Sequence, residues 1–258
     1  MAESGPTVTA RVRAPLSPSA RLRSDVIFRV LGEIPAARSF LEVGCGQGAL
    51  ATLLAERYDY VGYEPDEASF AVARARLAAG ARGAVWNTVL PERPDRTFDV
   101  VAAFEVLEHQ EDDRATLASW ARWVRPGGHL ILSVPAHPHR FGAADRDVGH
   151  FRRYTRAGLQ ALLMSVGLTA SKVVIYGFPL GYGLEWGRNT IAARRATKVP
   201  TTAEQRTAAS GRRLQPHDGL APVIWLATLP FLFMQRPFGS SELGTGFVVC
   251  AQAPATGR

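Results

Sequence analysis

The sequence predicts an α/β fold built on a doubly wound, mostly parallel sheet of seven strands. Short apolar runs alternate with segments of helical periodicity through most of the chain, a pattern typical of a parallel sheet covered by helices on both faces. The run from Phe98 to Phe104 is almost continuously apolar, as expected of a strand buried on both sides. Three alternating glycines, Gly44, Gly46 and Gly48, follow the first run and predict a tight turn from strand to helix.

The elements follow in a regular order. Apolar residues at helical spacing predict a first helix from Ala20 to just before Pro35. Asp66 and Thr155 are predicted N-caps of later helices. The predicted strands are Ser39–Val43, Tyr60–Tyr63, Ala84–Trp86, Phe98–Phe104, Leu130–Val134, Val173–Tyr176 and Gly246–Ala251. The other predicted helices are Gln47–Arg57, the segment from Asp66 to Ala79, Asp113–Val124 and the segment after Thr155.

A length of 258 residues fits one α/β domain with an elaboration. Residues 1–18 are rich in proline, serine and threonine and predict a flexible tail, so the domain is predicted over 19–258. Between the last two strands, residues 178–243 predict a helical insertion with an arginine-rich middle. This insertion could form a lid over an acceptor pocket, a contact in a homodimer, or a membrane-surface patch. A lid or a dimer contact is the simpler interpretation.

The formal charge of +7 is compatible with a nucleic-acid partner. Composition weakens that interpretation, because lysine occurs only at Lys172 and Lys198 and arginine supplies the other positive charges. Such a bias is expected of a GC-rich genome and raises the isoelectric point without any polyanion partner. Aromatic and basic residues are not interleaved, so we do not expect nucleic acid to bind.

Several features predict a cytoplasmic protein. Cys45 and Cys250 have no metal-type spacing and give no disulfide framework. No apolar segment follows the charges of the N-terminus, so no secretory signal is predicted. The longest apolar stretch, Leu220 to Met234, is interrupted by two prolines and is too short to span a bilayer.

The glycine turn offers main-chain N–H groups and the start of a helix to a nucleotide-like ligand. Gly44, Gly46 and Ala49 can be aligned with the dinucleotide fingerprint, which is weak evidence alone. The better description is Glu-x-Gly-x-Gly-x-Gly, in which the carboxylate of Glu42 precedes the first glycine by two positions.

This turn resembles the first motif of the class I S-adenosylmethionine (SAM)-dependent methyltransferases. Three further motifs follow in the family's order: Val61 to Asp66, Phe98 to Val101 leading into Leu107-Glu108-His109, and Val124 to Gly128. The resemblance covers roughly residues 20 to 178 and 244 to 253. It implies a Rossmann-like fold, methyl transfer, SAM as cofactor and S-adenosylhomocysteine as product. An NAD oxidoreductase would not account for the Leu107-Glu108-His109 and Pro126-Gly127-Gly128 segments.

The resemblance and the strand ends together predict a cofactor site. Glu64 ends the second strand, where an acidic side chain can accept hydrogen bonds from both ribose hydroxyls. By resemblance Glu42 lies near the methionine end of the cofactor, and Phe104 and Glu105 line that end. Asn87 and Thr88 stand where the family usually has an Asp that binds the adenine amine, and an Asn carbonyl can still accept that bond. The predicted cofactor-binding residues are Glu42, Gly44, Cys45, Gly46, Gly48, Glu64, Pro65, Asn87, Thr88, Phe104 and Glu105.

The acceptor side is predicted from two segments. His109 follows the central strand and is either a general base or a residue that packs beside the cofactor. The segment from Ala136 to Thr155 is crowded with titratable groups, and its Gly149-His150-x-Arg-Arg-Tyr-Thr pattern resembles a methyltransferase subgroup. By that resemblance His150 faces the acceptor pocket and Arg153 or Tyr154 orients the substrate. The predicted catalytic residues are His150 and His109, and the predicted substrate-binding residues are His137, Arg153 and Tyr154.

A metal site is an alternative for the same segment. Its candidate ligands are His137, His139, Asp145, Asp147 and His150. Nothing in their spacing fixes a ligand geometry, so no metal is predicted. A plain helix cap would need only Thr155.

The sequence therefore predicts O-methylation of a small-molecule acceptor, with His150 as the preferred base. A second hypothesis keeps the chemistry and changes the acceptor to RNA, protein or a lipid-linked glycan. A third hypothesis is a SAM-binding scaffold without turnover.

Overall fold

The structure is a computed structural model that describes residues 15–78, 83–92, 94–195 and 218–255. The described strands form one sheet in the order β3-β2-β1-β4-β5-β7-β6. The strands are β1 (Ser39–Val43), β2 (Asp59–Tyr63), β3 (Ala84–Trp86), β4 (Phe98–Phe104), β5 (Val124–Pro135), β6 (Thr169–Tyr176) and β7 (Gly246–Gln252).

The described helices cover both faces of this sheet, as the alternating pattern predicts. They are α1 (Pro18–Leu31), α2 (Ala49–Ala55), α3 (Glu67–Ala78), α4 (Asp113–Ala121), α5 (Ala143–Val148), α6 (Arg156–Ser165), α7 (Leu180–Arg195) and α8 (Ala221–Met234). The predicted caps are present: the Asp66 carboxylate accepts from the N–H of Ser69 at 3.0 Å, and the Thr155 hydroxyl accepts from Gly158 at 3.0 Å.

The sheet is parallel except for β7, which runs antiparallel to both β5 and β6. This confirms the predicted α/β class and the mostly parallel sheet. The strand order reverses between the neighbours β1 and β4. In open α/β sheets a ligand crevice forms beyond the carboxyl ends of the strands at such a point.

Alternate residues of the central strands enter two separate cores, as the pleat requires. Leu41 and Val101 pack in one core, and their neighbours Phe40 and Val100 pack in the other. All four side chains are fully buried. The two cores hold the sheet between its helical layers and fix the strand ends from which the functional side chains project.

Several boundaries differ from the predictions; β6, for example, begins at Thr169 instead of Val173. β5 begins at Val124 instead of Leu130, so the Pro126-Gly127-Gly128 motif lies within its first part. α1 begins at Pro18, and the hydroxyl of Ser17 accepts from the N–H of Ala20 at 3.3 Å. A side-chain cap and a proline at the first helical position both favour a helix start there, inside the segment predicted as a tail. Residues 1–14 of that segment lie outside the described residues.

Between β6 and β7 the described residues form α7, a short 3-10 turn and α8. α8 packs against α1. Residues 196–217, which hold most of the predicted arginine-rich middle, lie outside the described residues. Among the helices that the structure describes, none has the length and apolar character needed to cross a membrane.

Gln235 ties three elements together and predicts a measurable stability effect. Its buried side chain accepts from the N–H of Gly177 at 3.1 Å and donates to the carbonyl of Leu22 at 3.0 Å. We expect Gln235→Leu to lower the free energy of unfolding by about 1–3 kcal/mol, because both main-chain partners would lose a buried hydrogen bond. Urea denaturation measures the change. Gln252→Leu, at an exposed position, is the control, and equal losses in the two variants would contradict the prediction.

Candidate active site

A cavity of about 1610 Å³ opens beyond the carboxyl ends of β1, β2 and β4. Its floor is the glycine turn after β1 and the segment after β4. Its walls come from the start of α1, from the segment between α5 and α6, and from α7. The cavity therefore lies where the reversal of strand order places a ligand crevice.

The glycine turn presents its main chain to this cavity. Gly44, Gly46 and Gly48 have φ values of 70°, 55° and 74°, a region that residues with a Cβ rarely adopt. A Cβ on Gly44 would lie 2.8 Å from the side chain of Val106, whereas a Cβ on Gly46 would meet nothing within 4 Å. Gly44 therefore allows close packing, and the main chain at Gly46 stands beside open space.

Glu64, which follows the end of β2, stabilises the glycine turn. Its carboxylate accepts from the N–H of Gly46 at 2.8 Å and from the N–H of Asp66 at 2.9 Å. Burial raises the pKa of this carboxyl, against those two hydrogen bonds. The amide nitrogen of Asn87 donates to the carbonyls of Glu64 and Pro65, which leaves the Asn87 amide oxygen as an acceptor, as the predicted adenine contact requires.

Glu42 lies in the cavity floor and is 3% exposed. The hydroxyl of Tyr60 donates to its carboxylate at 2.6 Å. Burial raises the pKa of Glu42 to about 7, although the Tyr60 hydrogen bond and Arg23 lower it. Between about pH 4.5 and 7, Glu42 therefore keeps a proton that an exposed carboxyl would release.

Glu105 follows β4 with a strained backbone, at φ 58°. Its carboxylate accepts from the hydroxyls of Ser133 at 3.0 Å and Tyr176 at 3.2 Å, and it lies 3.6 Å from the guanidinium of Arg23. Arg23 comes from α1, which covers this end of the cavity. A left-handed backbone with three side-chain partners fixes the direction in which the chain leaves β4.

Two imidazoles form the opposite wall. The rings of His109 and His150 are 4.6 Å apart and nearly perpendicular, and both line the cavity. Burial, then His150, lowers the pKa of His109 to about 4. Glu108 lies behind them, fully buried, and burial raises its pKa well above the usual range.

A buried ion-pair network holds this wall. Arg153 makes two hydrogen bonds to Asp145, of 2.8 and 2.7 Å, and a third of 2.8 Å to Glu185 of α7. Asp145 also lies 2.9 Å from Nδ1 of His150. Burial alone would raise the pKa of Asp145, but hydrogen bonds from His150, Arg153 and the Gly142 N–H hold it below the usual range.

Most of the predicted cofactor residues line the cavity: Glu42, Gly44, Cys45, Gly46, Glu64, Pro65, Thr88, Phe104 and Glu105. Gly48 lies under the turn, where an added Cβ would touch Ala73. Cys45 is buried, and burial raises the pKa of its thiol well above the usual range. Asn87 is exposed and lies outside the lining, as Gly48 does, whereas the other predicted cofactor residues, which come from separate motifs, line the same cavity.

Only some of the predicted acceptor-side residues line the cavity. His150 and His109 line the cavity, and so does Arg153, whose guanidinium is occupied by Asp145 and Glu185. Tyr154 is buried away from the cavity lining, and its hydroxyl donates to Asp113 at 3.0 Å. His137 packs near His139 and Phe247, also outside the lining. Arg153 and Tyr154 thus stabilise the wall, and neither Tyr154 nor His137 is placed to contact an acceptor in the cavity.

The sequence did not indicate the roles of three residues of this site. They are Arg23, Glu185 and Asp145, the last as the partner of Arg153 and His150. Arg23 lies on the predicted first helix, which by resemblance helps to cover the cofactor. Asp145 lies in the segment singled out for its titratable groups. No motif in the sequence indicated a role for Glu185, because its partner Arg153 is 32 residues away in the chain.

Comparison with known proteins assigns the chain to a family. A profile of the methyltransferase domain matches residues 18–173, more than half of the chain. The chain belongs to the SAM-dependent methyltransferase family. This confirms the predicted class I resemblance and SAM as the cofactor of the family.

Curated relatives match part of this chain. A Mycolicibacterium smegmatis protein named as a probable S-adenosylmethionine-dependent methyltransferase is 33% identical over 150 residues, or 56% of this chain and 57% of that protein. The ubiquinone biosynthesis O-methyltransferase of Alkalilimnicola ehrlichii is 33% identical over 118 residues, or 44% of this chain and 47% of that one. The chain thus spans about half the length of these relatives.

Solved structures confirm the fold. The N-methyltransferase NodS from Bradyrhizobium japonicum, in complex with S-adenosylhomocysteine, matches with a TM-score of 0.56 at 16% identity, covering 92% of this chain and 89% of that chain. The cyclase SpnF matches with the same TM-score at 17% identity, covering 90% of this chain and 82% of that chain. One architecture therefore carries different named activities, and function must be argued from the site.

The residues present fit SAM. The main chain at Gly46 borders open space, Glu64 offers carboxylate oxygens to a ribose, and the Asn87 amide oxygen can accept from an adenine amine. Glu42 and Glu105 add acidic groups to the floor, which suit a ligand that carries an ammonium and a sulfonium charge. These five residues would hold the cofactor.

Arg153 gives a prediction about stability. We expect Arg153→Met to lower the free energy of unfolding by about 3–5 kcal/mol, because it removes the buried cation that pairs with both Asp145 and Glu185. Asp145 would keep His150 and the Gly142 N–H as partners, and Glu185 would keep Arg140. Chemical denaturation measures the loss. The control is Arg29→Met, which removes an exposed ion pair with Asp25 within one helix and should cost about 0.5 kcal/mol or less. Similar costs for both variants would show that the buried network adds no more than a surface pair.

Glu42 gives a prediction about pH. Its folded-state pKa of about 7 lies above the ordinary 4.5, so between these values the folded protein keeps a proton that the unfolded chain releases. Its contribution to stability is therefore present at low pH and is lost as pH rises through about 7. We expect the cofactor-free protein to lose up to about 3 kcal/mol between pH 5 and 8 through this group.

Glu42→Gln tests this assignment, because glutamine keeps an acceptor for Tyr60 and does not titrate. Urea denaturation at pH 5, 6, 7 and 8 should show a flatter dependence in the variant than in the wild type. Glu56→Gln, at an exposed position, should keep the wild-type dependence. Parallel curves for wild type and Glu42→Gln would assign the pH effect to other groups.

Proposed function

We propose that this protein transfers the methyl group of SAM to a hydroxyl oxygen of a small-molecule acceptor, with His150 accepting the hydroxyl proton. The proposal rests on one observation: a hydrogen bond from His150 to a buried carboxylate beside the cavity. Relatives that are named O-methyltransferases support the acceptor atom, since they match this chain at 33% to 36% identity over part of its length.

The geometry of His150 carries the argument. Its Nδ1 lies 2.9 Å from Oδ1 of Asp145, and an ionised carboxylate only accepts hydrogen bonds, so Nδ1 carries the hydrogen. Nε2 of the neutral ring then has the free lone pair. A carboxylate that fixes the tautomer and stabilises the imidazolium is the arrangement found in serine hydrolase triads.

His109 is the weaker candidate for the base. Its Nδ1 lies 3.3 Å from the carbonyl of Gly149. A carbonyl fixes the tautomer as a carboxylate does, but it carries no full charge to stabilise a protonated ring. We therefore assign His109 to the wall beside the reacting oxygen.

The protein's part in the reaction is to position the acceptor and to take its proton. SAM supplies, when bound, a methyl group activated by a sulfonium sulfur. Glu105 and the glycine turn fix the floor of the cavity, and His150 holds the acceptor hydroxyl by accepting its hydrogen bond. As the oxygen gains the methyl group, its proton passes to Nε2 of His150. Positioning and proton removal are the two contributions required.

The position of α7 supports two hypotheses: that the acceptor is small, and that the insertion acts as a lid over the cavity. Glu185, Arg188, Ile191 and Ala192 of this helix line the cavity. Glu185 ties the helix to Arg153, and the Asn189 amide oxygen accepts from the N–H of Ala144 at 2.9 Å. A helix fastened across the opening limits the size of the acceptor. The homodimer contact and the cytoplasmic location stay predictions.

The activity test uses methyl-labelled SAM with the small-molecule, lipid, RNA and protein fractions of a cell extract. We expect label in the small-molecule fraction, and loss of that label in Glu64→Ala, which removes the proposed ribose contact. In His150→Ala the rate should fall by about 10² or more, the usual contribution of a general base, while SAM affinity stays unchanged. Added imidazole should restore part of the rate.

The matched control is His139→Ala, because His139 is exposed and lies outside the cavity lining. It should keep the wild-type rate. A His150→Ala variant with an undiminished rate would remove the assigned base. Label confined to RNA, protein or lipid would refute the small-molecule acceptor, and SAM binding without label in any fraction would favour the scaffold hypothesis.

A further inference from the structure

The wall beside the cavity contains a carboxyl group that the proposed reaction does not use. Both side-chain oxygens of Glu108 are buried, and neither receives a hydrogen bond from another described residue. A buried polar group without a partner costs free energy. Glu105, three positions earlier, has Ser133, Tyr176 and Arg23 as partners, so the neighbouring carboxylate does not share this lack of a partner.

Two imidazoles converge on this carboxyl. Nε2 of His150 lies 3.7 Å from Oε1 of Glu108. Glu108, His109 and His150 each offer one ligand atom, and these three atoms lie within 4.8 Å of one another. Two ligand atoms of a tetrahedral Zn²⁺ site lie roughly 3.4 Å apart when each bond is about 2.1 Å. Small movements of these side chains would therefore complete a ligand set.

The second nitrogen of each ring is held by an acceptor. Nδ1 of His150 lies 2.9 Å from the Asp145 carboxylate, and Nδ1 of His109 lies 3.3 Å from the Gly149 carbonyl. Both acceptors require a hydrogen on Nδ1, so each neutral ring keeps its lone pair on Nε2. Metal-binding histidines are usually oriented by just such a carboxylate or carbonyl on the other nitrogen.

We infer that Glu108, His109 and His150 bind a divalent transition-metal cation of the Zn²⁺ and Co²⁺ class. Two imidazoles and one carboxylate suit these cations better than Mg²⁺ or Ca²⁺, which prefer oxygen ligands. Three protein ligands leave a further coordination position, as in catalytic zinc sites. Because both imidazoles line the cavity and Glu108 lies behind them, that position faces the cavity.

The site deepens the proposed function and rests on it for the identity of the acceptor oxygen. In the cation-free protein His150 is the base. In the cation-loaded protein His150 is a ligand, and the acceptor hydroxyl binds the open position. Coordination lowers the pKa of that hydroxyl, so its proton passes to cavity water while the oxygen forms the new bond to the methyl carbon and the carbon–sulfur bond breaks.

The test titrates the chelator-treated full chain with Co²⁺ and follows the visible absorption of the bound ion, with Zn²⁺ competition as a second readout. We expect one saturable site per chain. Glu108→Gln and His150→Asn should each weaken Co²⁺ binding by about 10-fold to 100-fold or more. His139→Asn should bind Co²⁺ as the wild type does. SAM affinity, measured on each variant, shows whether it is folded.

Each result decides the inference. Saturable binding that Glu108→Gln and His150→Asn each weaken by about 10-fold or more supports the site. Binding that both substitutions leave at the wild-type strength, or no saturable binding by the folded wild type, overturns it and leaves Glu108 as a protonated buried acid. Because Co²⁺ binding needs no acceptor, a protein that binds the ion and labels no small molecule would refute the proposed O-methylation and keep the site.

Discussion

The arrangement of the acceptor side depends on Arg153, whose buried guanidinium lies between the carboxylates of Asp145 and Glu185. Removing these charges from water is costly, and only complete pairing offsets the cost. The network joins the segment after β5 to α7 of the insertion. Asp145 also orients His150. The two buried ion pairs of Arg153 therefore fix both the position of α7 and, through Asp145, the direction of the His150 imidazole.

The floor of the cavity imposes a different constraint, because it is acidic. Burial raises the pKa of both Glu42 and Glu64, which means that ionising them without a compensating cation is unfavourable. A ligand that carries an ammonium and a sulfonium supplies that compensation. A dinucleotide would instead bring a pyrophosphate to a cavity bordered by Glu42 and Glu64. The electrostatics of the floor thus agree with the family assignment and disfavour the dinucleotide alternative.

Local features of the sequence were sufficient for most of the fold. The apolar runs predicted the strands, and the carboxyl ends of parallel strands gathered Glu42, Glu64 and Glu105 at one edge. Roles that depend on distant partners were not predictable. Arg153 was expected to orient substrate, yet Glu185, in a helix that no motif described, occupies part of its guanidinium. Tyr154 was expected at the substrate, yet Asp113 of α4 accepts its hydrogen bond.

The same limit applies to the candidate metal ligands. Sequence proximity suggested the histidines and aspartates between His137 and His150, but the fold divides them: His137 packs near His139 and Phe247, whereas Asp145 pairs with Arg153 and His150. The backbone turn at Leu107–His109 instead brings Glu108 and His109 to His150 from across the sheet edge. A cation held there would give the unpartnered carboxyl of Glu108 a counter-charge. The buried network of Asp145 and Arg153 would then support a ligand instead of a base.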